Sequence, residues 1–464
     1  MFEPNIKDSI NDIINSDLEL NNSSDISEVF YKNIFESSQI EYELSSNVLL
    51  ESKDSAEEVI SAILRNRSNT KGLSLQDSAI LLNTLRKFTD LKIRNLIIQS
   101  ARLLRQKLFS NSVATMIPIE VSSYCTSNCT FCGWRSDNNE MVRLKISEKA
   151  AIEQIELLSQ MGFSQFEIAT GDDIVFLKNN LESFIKLVKD TAKKYVSTPR
   201  VSICVTPLHY NQYLKFKNIG LDTVLTWQET YNAPTFYKYV NNGPKAKGLT
   251  QEFKLDPNGD GHLQRMQSQE GAVKAGLQVG LGVMIGLSDK VEADILSVIQ
   301  HGQKLIEVYP DKIQPIIIGM PTWNAITTSN DNLQIVNRPI NLEENFELIS
   351  AIYLLSFPDY LAWVFPNCRV SIETQLESVK TAGVFTSTMV RVGPGAYLAT
   401  DSNKDLSSYF SKSSIPGASL NSELVLKGEQ FVHHFHSHKY YSEQFESAGL
   451  KIIFDSEVLL LGKS

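Results

Sequence analysis

The sequence predicts an α/β fold, a (β/α)8 barrel of the TIM type with a helical N-terminal extension and a C-terminal tail. Between residues 115 and 390, short β-branched runs alternate with longer helical patterns, and this alternation favours a parallel sheet with right-handed crossovers. Eight strand candidates occur in that range, and barrels of this kind usually take about 250 residues. A doubly wound open sheet is the alternative, although no G-x-G-x-x-G motif follows a strand candidate.

The first 110 residues are predicted to form a mostly helical extension. Apolar residues recur at three- and four-residue spacing in EEVISAILRNRSN, LQDSAILLNT and LKIRNLIIQSARLLRQKLF. Residues 1–60 carry 14 acidic and three basic residues, whereas the whole chain has a net charge of −9, so the remainder is near neutral. We interpret the acidic stretch as a solvated extension or a docking surface for a partner. The near-neutral remainder offers no broad basic surface for nucleic acid.

The barrel is predicted to span residues 111–399, followed by a tail of helical or mixed character at 400–464. Its strand candidates are TMIPIEV at 115–121, QFEIA at 165–169, VSICV at 201–205, DTVLT at 222–226, LQVGLGV at 277–283, IQPIIIG at 313–319, CRVSI at 368–372 and FTSTMV at 385–390. The helical patterns between them include SEKAAIEQIELLSQMG, NLESFIKLVKDTAKKY and EENFELISAIYLLSF. Residues 243–263 are predicted to form a long loop.

Three of the five cysteines, Cys125, Cys129 and Cys132, fall within eight residues in VSSYCTSNCTFCGW. This C-x3-C-x2-C spacing follows the first strand candidate, and a loop at that position lies at the C-terminal face of a barrel, where active sites are found. Three thiolates on one loop can bind three irons of a [4Fe–4S] cluster. A zinc site or buried structural cysteines are the alternatives. Cys204 and Cys368 lie in apolar strand patterns and are predicted to be core residues.

The motif, with the aromatic Phe131 before its third cysteine, resembles that of the radical S-adenosylmethionine (SAM) superfamily. The resemblance implies a [4Fe–4S] cluster on the three cysteines and SAM bound to the open iron. It also implies that one electron from the cluster cleaves SAM to methionine and a 5′-deoxyadenosyl radical. An electron donor of the flavodoxin or ferredoxin type is implied as well.

Longer segments resemble the aromatic amino-acid lyases of that superfamily, which are the tyrosine lyases of thiazole synthesis and of diiron-hydrogenase maturation and the tryptophan lyase of indolic-acid biosynthesis. These segments are PIEVSSYCTSNCTFCGWRSDN, WQETYN with the following FYKYVNNGPK, and LQRMQSQEGAVKAGLQVGLGVMIGL. The resemblance covers roughly residues 115–395. It implies a radical SAM carbon–carbon lyase of a biosynthetic pathway that breaks tryptophan or tyrosine at its Cα bonds.

The resemblance implies SAM contacts for six residues, which are Gly171, Asp172, Glu229, Arg265, Gly282 and Gly286. Gly171 and Asp172, in ATGDD, would meet the amino group of SAM. Glu229, in WQETYN, would face the ribose or the methionine end of SAM. Arg265 would bind the SAM carboxylate, a role that suits a planar bidentate donor. The two glycines of GVMIG would pack against adenine, with ordinary close packing of a strand as the alternative.

The resemblance also implies a substrate site. Arg369, in NCRVSIET, would bind the substrate carboxylate, and Ser387, in TSTMVRV, would lie near the substrate amino group. Arg391 is the alternative anchor, and an ordinary surface or ion-pair role is the alternative for either arginine. Glu120 stands where several of the lyases carry tyrosine, so the identity of the substrate stays open. In the implied reaction, the radical abstracts hydrogen from the amino group and thereby weakens the Cα–Cβ and Cα–carboxylate bonds.

The remaining signals narrow the choice. No cysteine follows Cys368, so a second iron–sulfur cluster is not expected. The lack of a second cluster favours the tryptophan lyase or a secondary-metabolism relative over the lyase of hydrogenase maturation. The histidine-rich HHFHSHKYY at 433–441 could bind metal, although a packed or solvated segment is favoured. PTWNA at 321–325 and Trp363 could line an aromatic pocket, with an ordinary place in the core as the alternative. No run of eighteen apolar residues and no apolar signal segment occurs, so we expect a cytoplasmic protein without a membrane span.

Another radical SAM reaction, such as methyl transfer, or a non-catalytic iron–sulfur protein remains as an alternative function.

Overall fold

Eleven strands form one sheet in the computed structural model, which describes residues 25–51, 55–324, 326, 342–400, 404–415, 417 and 419–463. In chain order the strands are β1 (Ser112–Ser122), β2 (Leu144–Ile146), β3 (Gln165–Thr170), β4 (Arg200–Cys204), β5 (Thr223–Val224), β6 (Gln278–Gly282), β7 (Ile316–Gly319), β8 (Ala362–Phe365), β9 (Phe385–Ser387), β10 (Phe410–Ser413) and β11 (Lys451–Ile453).

Parallel ladders join β1, β3, β4, β5, β6, β7 and β8 in that order. β9 pairs in parallel with β1, and the amide of Val384, just before β9, donates to the carbonyl of Val364 in β8 at 3.0 Å. These contacts bring the two ends of the sheet together into a ring of eight parallel strands. The predicted α/β barrel class is therefore confirmed.

The helices surround this ring. In chain order they are α1 (Glu28–Glu51), α2 (Ala56–Arg65), α3 (Leu75–Leu82), α4 (Leu91–Phe109), α5 (Glu148–Gln160), α6 (Ile174–Asn179), α7 (Leu181–Ala192), α8 (Tyr210–Asn218), α9 (Ala233–Tyr239), α10 (Pro244–Lys247), α11 (Gly261–Lys274), α12 (Val291–Val308), α13 (Leu342–Ser356), α14 (Ile372–Thr381), α15 (Ser422–Leu426) and α16 (His438–Ser447). Short 3-10 turns lie at Asn83–Leu85, Ala396–Leu398, Ser407–Tyr409 and Ser456–Lys463. None of the helices in the described ranges is long and apolar enough to cross a membrane.

The described part of the N-terminal extension is helical and packs on the outside of the barrel. Its longest predicted pattern matches α4, which begins where the Asp90 carboxylate accepts the amide hydrogen of Lys92 at 2.7 Å. The hydroxyl of Ser38 in α1 donates to Gln300 in α12 at 2.9 Å, and Arg102 in α4 pairs with Glu347 in α13 at 2.7 Å. Residues 1–24, which carry part of the acidic stretch, lie outside the described residues.

One predicted strand is wrong. Residues 368–372 form a turn and the first residue of α14, because the Ser371 hydroxyl accepts the amide hydrogen of Thr374 at 3.2 Å and caps that helix. The seventh barrel strand is β8 instead, which the sequence patterns did not indicate. The error has a physical cause: Cys368 and Val370 are both buried, so this turn shows the alternating burial of a strand. The last predicted strand is also shorter than expected, since Met389 has a φ of 56°.

The C-terminal tail returns to the barrel. β11 pairs in parallel with the beginning of β1, where Ser112 lies opposite Lys451, and β10 pairs antiparallel with β2. The predicted loop at 243–263 contains the short helix α10 and the start of α11. The division at residues 110 and 399 stays a prediction.

Candidate active site

The loop after β1 carries the three clustered cysteines at the C-terminal end of the barrel. A single guanidinium, that of Arg143, holds this loop by donating to four backbone carbonyls, those of Ser123, Trp134, Arg135 and Asn138, at 2.6–3.2 Å. The loop is also attached to the end of α9, because the amide of Thr130 donates to the carbonyl of Tyr239, its last residue, at 2.9 Å. The cysteines are thus presented by a backbone with fixed partners.

Each end of the motif receives a hydrogen bond at sulfur. The backbone amide of Asp172 donates to Sγ of Cys125 at 3.3 Å, and the side-chain amide of Gln430 donates to Sγ of Cys132 at 3.0 Å. Burial raises the pKa of all three thiols, that of Cys129 to about 12. Thiols in such a place lose their protons when they bind iron, because a coordinating thiol is deprotonated by the metal.

The donor set fits three corners of a [4Fe–4S] cluster. Within the described residues, no three His, Cys, Asp or Glu side chains converge on a single-ion metal site. A cluster gives each thiolate its own iron, so Cys125, Cys129 and Cys132 need not converge on one ion. A structural zinc ion would need four ligands around one point, which disfavours the zinc alternative. The histidine-rich segment packs instead: His433 contacts the carbonyl of Val390 at 2.9 Å.

The ATGDD segment lies directly against the cysteine loop. A Cβ atom on Gly171 would come within 2.6 Å of the carbonyl oxygen of Tyr124 and 2.9 Å of the Cβ of Cys125. The carbonyl of Asp172 accepts the hydroxyl of Thr126 at 2.9 Å, and its carboxylate accepts the hydroxyl of Thr206. A small residue is therefore needed at 171 for the two loops to approach each other.

A buried ion pair lies beside this contact. Nζ of Lys245 is 2.5 Å from Oε1 of Glu229, whose backbone has a φ of 67°. Burial alone would raise the pKa of Glu229, but the positive charges of Lys245 and Arg265 outweigh it and lower that pKa. The pair is therefore charged at neutral pH. The resemblance implies a role for Glu229, in WQETYN. Lys245, in the following GPK, has no role predicted from the sequence.

Arg265 reaches the same wall from α11. Its Nη1 donates to the carbonyl of Trp227 at 2.7 Å, and its Nε is buried without a hydrogen-bond partner in the described part of the chain. A guanidinium with an unused N–H suits an anionic ligand, because an unpaired buried donor is costly.

Arg369 and Ser387 face the cavity from the opposite side. The guanidinium of Arg369 lies 3.6 Å from the ring centre of Phe431, and its Nη1 donates to the carbonyl of Thr322 at 3.2 Å. The Ser387 hydroxyl accepts the amide hydrogen of Cys368 at 2.9 Å. The alternative anchor, Arg391, stacks on a phenylalanine ring 3.6 Å away and does not line the cavity.

These elements enclose one cavity of about 220 Å³ at the mouth of the barrel. The residues implied by the resemblance that line it are Cys132, Asp172, Glu229, Arg265, Arg369 and Ser387. The other five implied residues do not line it, and these are Cys125, Cys129, Gly171, Gly282 and Gly286. The assignments of all eleven stay predictions.

The two glycines implied for adenine have packing roles. A Cβ on Gly282 would lie 2.5 Å from the carbonyl oxygen of Gly319, so β6 and β7 approach closely there, and Gly286 has a φ of 91°. The cavity also contains residues that the sequence patterns did not assign. These are Glu167, Cys204, Lys245, Cys368, Gln430 and Phe431, two of which had been predicted as core cysteines.

The expected aromatic pocket is formed differently. Trp363 stacks on Phe385 inside the core, with 5.8 Å between the ring centres. Trp323 meets Phe131 edge to face, with 6.5 Å between the ring centres. Ala325, the last residue of PTWNA, lies outside the described residues. The rings that reach the cavity include Trp227.

Comparison with known proteins agrees with this architecture. No protein-family model matches the chain. The 2-iminoacetate synthase of Escherichia coli (strain K12) is 28% identical over 204 residues, 44% of this chain and 49% of the synthase. The [FeFe] hydrogenase maturase subunit HydE of Thermotoga maritima is 24% identical over 211 residues, 45% of this chain and 54% of that protein. The chain thus spans about half the length of these relatives.

A solved structure shows the same fold over most of the chain. The [FeFe]-hydrogenase maturase HydG from Carboxydothermus hydrogenoformans superposes with a TM-score of 0.71 at 19% identity, covering 92% of this chain and 86% of that one. At this identity, the structural match shows the fold alone. Together with the cysteine motif, the sequence matches confirm the resemblance to the radical SAM superfamily and, within it, to the tyrosine-lyase group.

Proposed function

We propose that this chain is a radical SAM carbon–carbon lyase that uses a [4Fe–4S] cluster and SAM to fragment an aromatic amino acid, tryptophan or tyrosine. The observation that carries the proposal is the cavity, which Cys132 of the cysteine loop lines together with three residues implied for SAM, Asp172, Glu229 and Arg265, and with Arg369, implied for the substrate. The sequence match to 2-iminoacetate synthase supports it. A biosynthetic role and tryptophan as the first candidate substrate are part of the proposal.

When bound, the cluster and SAM supply a 5′-deoxyadenosyl radical, and the protein supplies position and electrostatics. Cys125, Cys129 and Cys132 would hold three irons. Asp172 would bind the amino group of SAM, and the unused Nε–H of Arg265 would bind its carboxylate. The Lys245–Glu229 pair would keep this wall charged and fixed in place.

On the opposite wall, Arg369 would anchor the substrate carboxylate. Its stacking on Phe431 fixes the plane of the guanidinium, so a carboxylate bound there has a defined orientation. The position of a substrate bound to Arg369 would decide which bond at Cα is weakened, because the radical must be generated at a set distance from that bond. Aromatic rings that line the cavity, among them Phe131, Trp227 and Phe431, would shield the reacting atoms from water.

An anaerobic assay tests this function. The reconstituted protein is given SAM, dithionite and either tryptophan, tyrosine or phenylalanine, and the products are identified by mass spectrometry. We expect 5′-deoxyadenosine together with an amino-acid fragment for tryptophan or tyrosine. If no aromatic amino acid produces either compound, the lyase proposal is wrong. Turnover with a methylated or rearranged product would instead support a different radical SAM reaction.

Matched cysteine variants provide the control. Cys129→Ala removes an implied iron ligand and should lose the cluster absorbance, whereas Cys204→Ala removes a thiol outside the motif and should keep it. Equal iron content in both variants would mean that the motif does not hold the cluster. A cluster without any SAM cleavage would favour the non-catalytic alternative. The flavodoxin or ferredoxin electron donor and the cytoplasmic location remain expectations from the sequence.

A further inference from the structure

One carboxyl oxygen of a buried acid in the cavity wall has no hydrogen-bond partner among the described residues. Glu120 lies in β1, and Met116 and Pro118 line the same cavity from that strand, as the two-residue period of a strand requires. Its side chain is 6% exposed, and its Oε2 has no hydrogen-bond partner within the described residues. A buried carboxyl without a partner is costly, so this position indicates a ligand with a hydrogen-bond donor.

The charges around Glu120 define the ligand further. The titratable or charged groups that face it from neighbouring elements are Glu167, Cys204, Arg369, Tyr397 and Glu429. Arg369 is the cation among them, and it stacks on Phe431 without forming an ion pair with Glu120 in the described part of the chain. Arg369 and Glu120 both line the cavity, and this cation and the unpaired carboxyl oxygen match the carboxylate and ammonium poles of an amino acid.

We propose that Glu120 binds the amino group of the amino-acid substrate and accepts a proton from it, so that the radical meets a neutral amine. This inference rests on the proposed lyase function. In the step, an N–H bond of the ammonium group breaks, its electron pair stays on nitrogen, and an O–H bond forms at Oε2 of Glu120. No group is oxidised or reduced. Glu120 would thereby leave a neutral amine, whose N–H bond would be the one open to the radical that bound SAM would supply.

The chemistry requires such an acceptor. An ammonium nitrogen has no lone pair to stabilise an adjacent unpaired electron, whereas an amine nitrogen has one. Burial and the nearby carboxyls of Glu167 and Glu429 raise the pKa of Glu120, while Arg369 opposes the shift. A carboxyl with a raised pKa keeps the proton once it has been transferred.

Glu120→Gln tests the proposal, because the amide keeps the shape of the side chain and cannot accept the proton. Reactions are run in D2O with the substrate established for the wild type, and deuterium transfer from the exchangeable amino group into 5′-deoxyadenosine is measured. At pH 7 we expect product formation to fall by about 100-fold in the variant, the scale of a lost general base, while substrate-independent SAM cleavage continues.

The pH profile separates a proton acceptor from a structural residue. Activity of Glu120→Gln should rise about tenfold per pH unit until the free amino group of the substrate titrates, since only neutral amine from solution can react. Glu120→Asp should restore part of the activity with the wild-type profile, and Glu307→Gln, at an exposed position, should behave as the wild type. A Glu120→Gln variant with unchanged rate, or with a loss that is equal at every pH, overturns this inference. Absence of deuterium transfer in the wild type would show that the hydrogen does not come from the amino group and also overturns this inference, whereas the lyase proposal is tested separately by formation of the amino-acid fragment.

Discussion

The side-chain amide of Gln430 donates a hydrogen bond to Sγ of Cys132 at 3.0 Å, although 298 positions separate the two residues. The carbonyl of the same glutamine accepts the amide hydrogen of Gly133 at 3.1 Å. The C-terminal tail thus contacts the cysteine loop at the sulfur of an implied iron ligand and at the backbone next to it.

Gln430→Leu removes this N–H···S bond and keeps a side chain of similar size. Hydrogen bonds to cluster sulfurs stabilise the reduced, more negative state, so the reduction potential of the reconstituted cluster should become more negative. An anaerobic redox titration followed by electron paramagnetic resonance measures it. Gln39→Leu, on α1, serves as the control, because it removes a side-chain hydrogen bond to Glu43 that is exposed. An unchanged potential in Gln430→Leu would show that this bond does not tune the cluster.

Arg369→Ala should abolish substrate turnover and leave slow, uncoupled SAM cleavage. Loss of a charge-assisted bond costs about 1.5–3 kcal/mol, which corresponds to an increase in KM of roughly 10- to 100-fold for any turnover that remains. Arg391→Ala should retain turnover, because Arg391 is outside the cavity wall. Product and 5′-deoxyadenosine are quantified together. Equal loss of both in Arg369→Ala would indicate a structural role.

Lys245→Met should destabilise the protein by about 3–5 kcal/mol, because Glu229 would remain buried without its partner. The double variant Lys245→Met, Glu229→Gln should recover much of that loss, since no charge is then left unpaired. Chemical denaturation of the protein without cluster measures both free energies of unfolding. A single variant as stable as the wild type contradicts the interpretation of this pair.

The same pair predicts a pH dependence. The pKa of Glu229 is lower in the folded protein than its ordinary value of 4.5, so its contribution to stability is present above that value. This contribution should disappear as the pH falls below 4.5 and through the lowered folded-state pKa. Unfolding free energies measured from pH 7 to pH 3 should therefore decline less steeply in Glu229→Gln than in the wild type. Parallel curves would contradict the prediction.

Gly171→Ala should lower cluster incorporation, because the added Cβ would lie 2.6 Å from the backbone oxygen of Tyr124 and 2.9 Å from Cys125. The loops would have to separate, which moves an implied iron ligand. Gly271→Ala is the matched control, since the nearest atom to its new Cβ is 3.5 Å away. Iron and sulfide content per chain is the measurement. Full incorporation in Gly171→Ala would show that the contact between the loops is dispensable.

The sequence alone indicated the barrel and the location of its cysteine loop. Alternating β-branched runs and 3.6-residue patterns are local properties, so α4 and most barrel strands could be predicted from them. The C-x3-C-x2-C motif lies within one loop, so it can be identified from the sequence without knowledge of the fold. The strand prediction is wrong at 368–372, because alternate residues of this turn are buried and therefore show the pattern of a strand.

Only the tertiary structure decided which distant side chains share the cavity. Gln430 and Phe431 reach it because the tail folds back over the barrel mouth, and no spacing along the chain encodes that contact. The distinction between Arg369 and Arg391 likewise depends on which of two stacked arginines faces inward. Glu120 could be seen in the sequence as a departure from tyrosine, but its lack of a partner appears only when eight strands close around it, because burial and pairing are properties of the assembled wall.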